Sequence, residues 1–153
     1  LSCQSGHEQC ALALLKAGVS LESKNNDGFT SLMISCAFGH EQCALELLKA
    51  GASLNVVSKD NFTMLMAVCY GGLLSILEKV LPGSDIDAAV VNTHATQAAF
   101  TALMYACQNG HEQCARTLIK AGARKDATAK AGSTALSLAR SNGHTALCEL
   151  LER

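Results

Sequence analysis

Three residue types in this sequence could do chemistry, and they recur together. The string His-Glu-Gln-Cys-Ala starts at His7, His40 and His111, and a further Gly-His pair stands at Gly143-His144. His40 and Cys43 are one helical turn apart, a spacing that suits a shared metal ion or a thiol activated by a base. The wider pattern argues against both. Zinc sites use Cys-x2–4-Cys spacing, whereas these cysteines pair seven apart, at Cys3/Cys10, Cys36/Cys43 and Cys107/Cys114. A catalytic group is needed once, while a group present in every copy of a pattern serves the pattern. No glycine-rich phosphate loop, nucleophile elbow, His-Glu-x-x-His or paired-carboxylate motif occurs. Glu8, Glu41, Glu46 and Glu112 read as solvated helix positions. The expectation is a protein that is not an enzyme, with no catalytic residue, no metal and no cofactor.

The elements that carry these residues form a repeat. His7 to His40 is a step of 33, Gly110 to Gly143 is again 33, and Phe-Thr at Phe29, Phe62 and Phe100 steps by 33 and then 38. Repeats of this length mean stacked supersecondary units. The units run approximately 1–24 (partial), 25–57, 58–92, 93–128 and 129–153, forming one array over 1–153. Within the clearest unit, Asn26-Asp27-Gly28 is a turn signal. Thr30 stands where an N-cap hydroxyl is needed, and Leu32, Ser35 and Cys36 share one face of a short helix. Gly39 ends that helix. Glu41 then opens a second helix, where it suits the positive end of the helix dipole. Cys43, Ala44, Leu47 and Leu48 form its buried face, and Lys49 and Gly51 close it. Lys16-Ala17-Gly18 and Lys120-Ala121-Gly122 repeat that stop.

With its 33-residue period, Asp-Gly-x-Thr-x-Leu, Gly-His and Leu-Leu-Lys-Ala-Gly-Ala, the chain resembles the ankyrin repeat family. The resemblance implies an all-α solenoid of stacked antiparallel helix pairs with short β-hairpin-like fingers. Family members start the first helix with Thr-Pro-Leu-His. Here the starts read Thr30-Ser31-Leu32-Met33, Thr63-Met64-Leu65-Met66, Thr101-Ala102-Leu103-Met104 and Thr134-Ala135-Leu136-Ser137. Proline and histidine are lost each time, so the usual Thr–His hydrogen bonding is expected to be missing and the helix starts less rigid. The resemblance also implies that the Gly-His histidine ties neighbouring repeats by hydrogen bonding. A partner is implied along the concave face, made of fingers and first helices. Carried over, that face comprises Phe29, Ile34, Ala37 and Phe38, then Phe62, Ala67 and Tyr70, then Phe100, Tyr105 and Gln108, then Ser133, Leu138 and Ser141. Phe29, Ile34, Phe62, Tyr70, Phe100, Tyr105 and Gln108 are its candidate binding residues, since an aromatic row is typical of interface hot spots. Asn55 matches the Leu-x6-aliphatic-Asn context in which ankyrin asparagines can be hydroxylated.

The third unit departs from the pattern. Leu81-Pro82-Gly83-Ser84-Asp85 is one residue short, and extra residues between Ala88 and Ala99 account for the step of 38. Val90, Val91, Asn92 and His94 in this insertion are weaker candidate contacts. The alternative is a tolerated surface insertion, because loop length costs little. Leu1 falls inside a first helix, which suggests a piece of a longer array.

Composition bounds the remaining readings. The formal net charge is -1, which gives no global attraction to nucleic acid or an anionic membrane. Hydrophobic residues make up 49% and charged residues 16%, so the chain is too apolar to be disordered. No apolar run is long enough to span a membrane, and no signal-peptide pattern opens the chain. The 8 cysteines read as buried thiols of a reducing compartment. Equivalent cysteines in neighbouring repeats should sit ~8–10 Å apart, beyond the ~4.4–6.8 Å between Cα atoms that a disulfide needs. The expectation is a cytoplasmic protein, with the nucleus as alternative, that binds a protein or peptide, without nucleic acid or membrane insertion. The second reading is a regulatory or adaptor segment of a larger enzyme, channel or ubiquitin-ligase complex. A thiol-based redox sensor is the third.

Overall fold

The computed structural model describes residues 20–81, 93, 95 and 99–152. Among them the chain forms helix pairs joined by tight turns: α1 (Ser31–Ala37) with α2 (Glu41–Lys49), α3 (Met64–Gly71) with α4 (Leu74–Val80), α5 (Ala102–Gln108) with α6 (Glu112–Lys120), and α7 (Ala135–Ser141) with α8 (Thr145–Glu152). The first helices pack as one row, α1 on α3 on α5 on α7, and the second helices α4, α6 and α8 form a looser row behind them. The architecture is an all-α solenoid.

Each first helix starts at a threonine in extended conformation. Thr30, Thr63, Thr101 and Thr134 accept from the N–H three residues on, at 3.4, 3.2, 3.3 and 3.2 Å. The reciprocal bond, expected to be lost with histidine, is rebuilt twice with other atoms. The Thr63 N–H donates to the Met66 thioether at 3.5 Å, and the Thr134 N–H donates to Ser137 Oγ at 2.8 Å. Both starts are capping boxes, one of them with sulfur in place of the usual oxygen. The expectation of looser helix starts is therefore corrected at Thr63 and Thr134.

Leu32, Leu65 and Leu103 occupy equivalent sites and are buried, as are Met33, Met66 and Met104 beside them. Each such side chain contributes about 1.5–3 kcal/mol by leaving water. The second helices add Ala44, Leu47, Leu77, Ala115, Leu118, Leu147 and Leu151. One contact sets how closely the first row packs. A Cβ on Gly71 would lie 1.9 Å from the Cys36 carbonyl oxygen, so α3 reaches α1 only because that side chain is absent.

The fingers are single hairpin turns. Isolated antiparallel bridges join Lys24 to Thr30, Val57 to Thr63 and Thr128 to Thr134. Asn25, Ser58 and Ala129 donate backbone N–H to the carbonyls of Phe29, Phe62 and Ser133, four residues on. In the fourth repeat the closing bond runs from Ala95 N–H to the Phe100 carbonyl, five residues on, so that finger carries one more residue in its loop. The residue before the finger's aromatic position is left-handed throughout: Gly28, Asn61, Ala99 and Gly132 have φ of 87°, 56°, 55° and 78°. Adjacent fingers are tied by Lys59 N–H to the Asp27 carbonyl at 3.0 Å and by Lys24 Nζ to the Val57 carbonyl at 3.2 Å.

Candidate functional site

The candidate site grows from two positions of the repeat. Phe29, Phe62 and Phe100 close their fingers and lean onto the first helices, half-buried. The position held by Ile34 in α1 is Tyr105 in α5, and the position held by Ala37 in α1 is Tyr70 in α3. These substitutions link the finger aromatics into one network. Ring centroids lie 5.5 Å apart for Phe29–Phe62, 5.3 Å for Phe62–Tyr105, 5.3 Å for Phe100–Tyr105 and 5.7 Å for Tyr70–Tyr105. The three contacts of Tyr105 are edge-to-face, the arrangement that the ring quadrupole favours. Burial, and then the neighbouring Tyr70 hydroxyl, push the Tyr105 phenol above its ordinary value, so it stays protonated and can donate. Tyr70 is 44% exposed and forms the solvent edge of the network.

Five of the seven residues expected on this face therefore touch one another. Ile34 and Gln108 flank them: Ile34 is half-buried against the core, and the Gln108 carbonyl takes the ring of His144. Ala67, also expected on the exposed face, is fully buried, and this corrects the sequence reading. Its side chain is too short to emerge between the Ile34 and Tyr105 positions of the flanking repeats. Phe38 is 55% exposed and stacks on His40 at 6.3 Å. Val90, Val91, Asn92 and His94 lie outside the described residues.

His111 and His144 tie neighbouring repeats together. His111 Nε2 lies 3.1 Å from the Tyr70 carbonyl, which also accepts from Asn109 Nδ2 at 3.2 Å. His144 Nε2 lies 3.2 Å from the Gln108 carbonyl. Each ring sits over the turn glycine of the previous repeat. A Cβ on Gly72 would be 2.4 Å from His111, and one on Gly110 would be 2.6 Å from His144. Sequence reasoning missed that these bonds land on the backbone of Tyr70 and Gln108, two residues of the candidate face. It missed Gly71 as well, although Gly71-Gly72 in place of Phe38-Gly39 is a visible signal.

Among the described residues, five of six cysteines are core atoms. Cys36, Cys43, Cys69, Cys107 and Cys114 are buried thiols, and Cys148 is half-buried. Burial pushes the Cys36 and Cys107 thiols up to about 12 and the Cys114 thiol up to about 11, with Cys43, Cys148 and Glu78 respectively adding to it. Cys69 is likewise raised by burial. A reactive thiol needs the opposite shift. Among the described residues no group of His, Cys, Asp and Glu is arranged to hold a metal ion. An open groove of about 340 Å³ lies between the first turns of α4 and α6, lined by Gly72, Leu74, His111, Glu112, Gln113 and Cys114. Two of its polar groups are engaged: His111 meets the Tyr70 carbonyl and Glu112 pairs with Arg116.

A sequence profile described as "Ankyrin repeats", in three copies, matches residues 1–59 and 64–153. The chain belongs to the ankyrin repeat family. Within that family, repeats are generally protein–protein interaction modules and are typically non-catalytic. No curated protein matches this ankyrin array in sequence. Asn55, in the hydroxylation context of ankyrin proteins, is exposed beyond α2.

Proposed function

We propose that the array holds a protein or peptide partner along the face made by its fingers and first helices. The observation that carries this reading is the continuous aromatic network from Phe29 to Tyr70, half-exposed on α1, α3 and α5, which carry no charged residue. Aromatic rings held by their neighbours lose little entropy on binding and bury large area, which is why such groups dominate interface energetics.

The test is a paired capture followed by titration of the recovered partner. One bait carries Tyr70→Glu with Gln108→Glu on this face, and the other carries Gln42→Glu with Gln113→Glu on the second helices. Circular dichroism checks that both remain helical. The first bait should lose affinity about tenfold or more, since hot-spot truncations cost roughly 2 kcal/mol or above, and the second should match wild type. Loss confined to the second bait would move the site to the opposite face.

A further inference from the structure

The aromatic face has a charge polarity along the stack. Helices α1, α3 and α5 contain no charged residue, so the strip itself offers only apolar and hydrogen-bonding contact. At the finger that leads into the second repeat, Glu22 and Asp27 flank Lys24, whose ammonium donates to the Val57 carbonyl. The other end is built differently. From residue 116 to 130 the chain carries Arg116, Lys120, Arg124, Lys125 and Lys130 against Asp126 alone. Arg116 pairs with Glu112, and Arg124 with Asp126. Among the described residues Lys120, Lys125 and Lys130 enter no ion pair. The fingertips differ in the same sense: Lys59 is followed by Asp60 in the third repeat, while Lys130 is followed by Ala131 in the fifth. In that fifth finger Ser133 replaces the phenylalanine, so the aromatic strip stops where the chain turns net positive.

Resting on the function proposed above, we infer the chemistry and direction of the partner. It is an extended protein segment with an uncharged aromatic or aliphatic centre and an acidic flank. The centre lies on Phe62, Tyr105 and Tyr70, and the acidic flank lies toward Lys125 and Lys130. Charge of this kind steers encounter and fixes orientation, while the buried rings set lifetime. The attraction weakens as salt rises, because exposed charges are screened over about 8–10 Å at physiological ionic strength.

The experiment uses the full chain and a library of displayed random linear peptides. Recovered peptides are synthesised, labelled and titrated by fluorescence anisotropy against the wild-type chain, a Tyr70→Ala variant and a Lys125→Glu/Lys130→Glu variant. The expected peptides carry an aromatic or aliphatic centre with acids gathered on one side. The double lysine variant should weaken them about tenfold and remove most of their salt dependence, and Tyr70→Ala should weaken them at every salt concentration. Peptides that need Tyr70 but lack an acidic flank, and that ignore the lysine variant, overturn the charge assignment and leave the face standing. Peptides indifferent to both variants overturn the face as well, and so does recovery of none. A labelled single-stranded RNA is titrated in parallel. Its retention through Lys125 and Lys130, with no peptide recovered, would reassign the basic end to nucleic acid.

Discussion

In α1, α3 and α5 no residue is charged, whereas α2, α4 and α6 each carry both signs. The second helices settle much of that charge internally. Lys49 pairs with Glu46 and Arg116 with Glu112, both at 2.6 Å within one helix. Exposed pairs of this kind contribute little, about 0–1 kcal/mol. The first helices hold together by close approach instead: Gly71 against the Cys36 carbonyl, buried methionines, and histidine bonds that cross from one repeat to the next. The lesson is a division of labour. The second row keeps the array solvated, and the first row provides the cohesion between repeats and, on the function proposed above, the surface for a partner.

That contrast breaks most readily at Gly71. Gly71→Ala should destabilise the array by about 3 kcal/mol, because the new methyl meets backbone that cannot swing away. Gly51, beyond α2, has φ of 92° and nothing within 4 Å of a Cβ. Its alanine variant should cost only the left-handed strain, roughly 1–2 kcal/mol. Urea denaturation midpoints compare the two, and equal losses would remove the claim that the first row is the tighter.

Alkaline titration reads the buried thiols, which lie in both rows. A cysteine in the unfolded chain ionises near 9.0, while folded Cys36 and Cys107 ionise near 12. Between those values the unfolded state binds fewer protons, so stability is unchanged below pH 9 and falls as pH rises toward 12. The slope is on the order of 1 kcal/mol per pH unit for each such thiol. Stability measured against pH checks it, and a Cys107→Ala variant should show a shallower decline.

Smaller effects sharpen the picture. His144→Ala removes a bond between repeats and should cost about 1 kcal/mol, while Glu112→Gln on the second row should cost about 0.5 kcal/mol or less. Thermal melts distinguish them. Another small change has the opposite sign. Ala99 holds φ of 55° where the second and fifth repeats have glycine, so Ala99→Gly should stabilise by roughly 0.5–1 kcal/mol. A fall in melting temperature would show that the fourth finger is shaped by something other than this residue.

Much of this was legible in the residues. The threonine caps, the turn glycines and the apolar positions of both helices follow from local physics repeated at a fixed period, so repetition amplified each signal. The aromatic positions were legible for the same reason. Other features depend on contact between repeats, which periodicity does not encode. Ala67 is buried by its larger neighbours in the flanking repeats. The Met66 thioether replaces an imidazole nitrogen as acceptor, a substitution of atoms rather than of pattern. The carbonyls of Tyr70 and Gln108 became acceptors because the next repeat's histidine lands on them.

The most direct measurement places a photo-crosslinking benzoyl-phenylalanine at Tyr70, on the first row, or at Gln113, on the second. Each chain is irradiated with the captured partner bound. The partner should be joined covalently through position 70 and not through position 113. Crosslinks formed only at 113 would contradict the assignment of the binding face to the fingers and first helices.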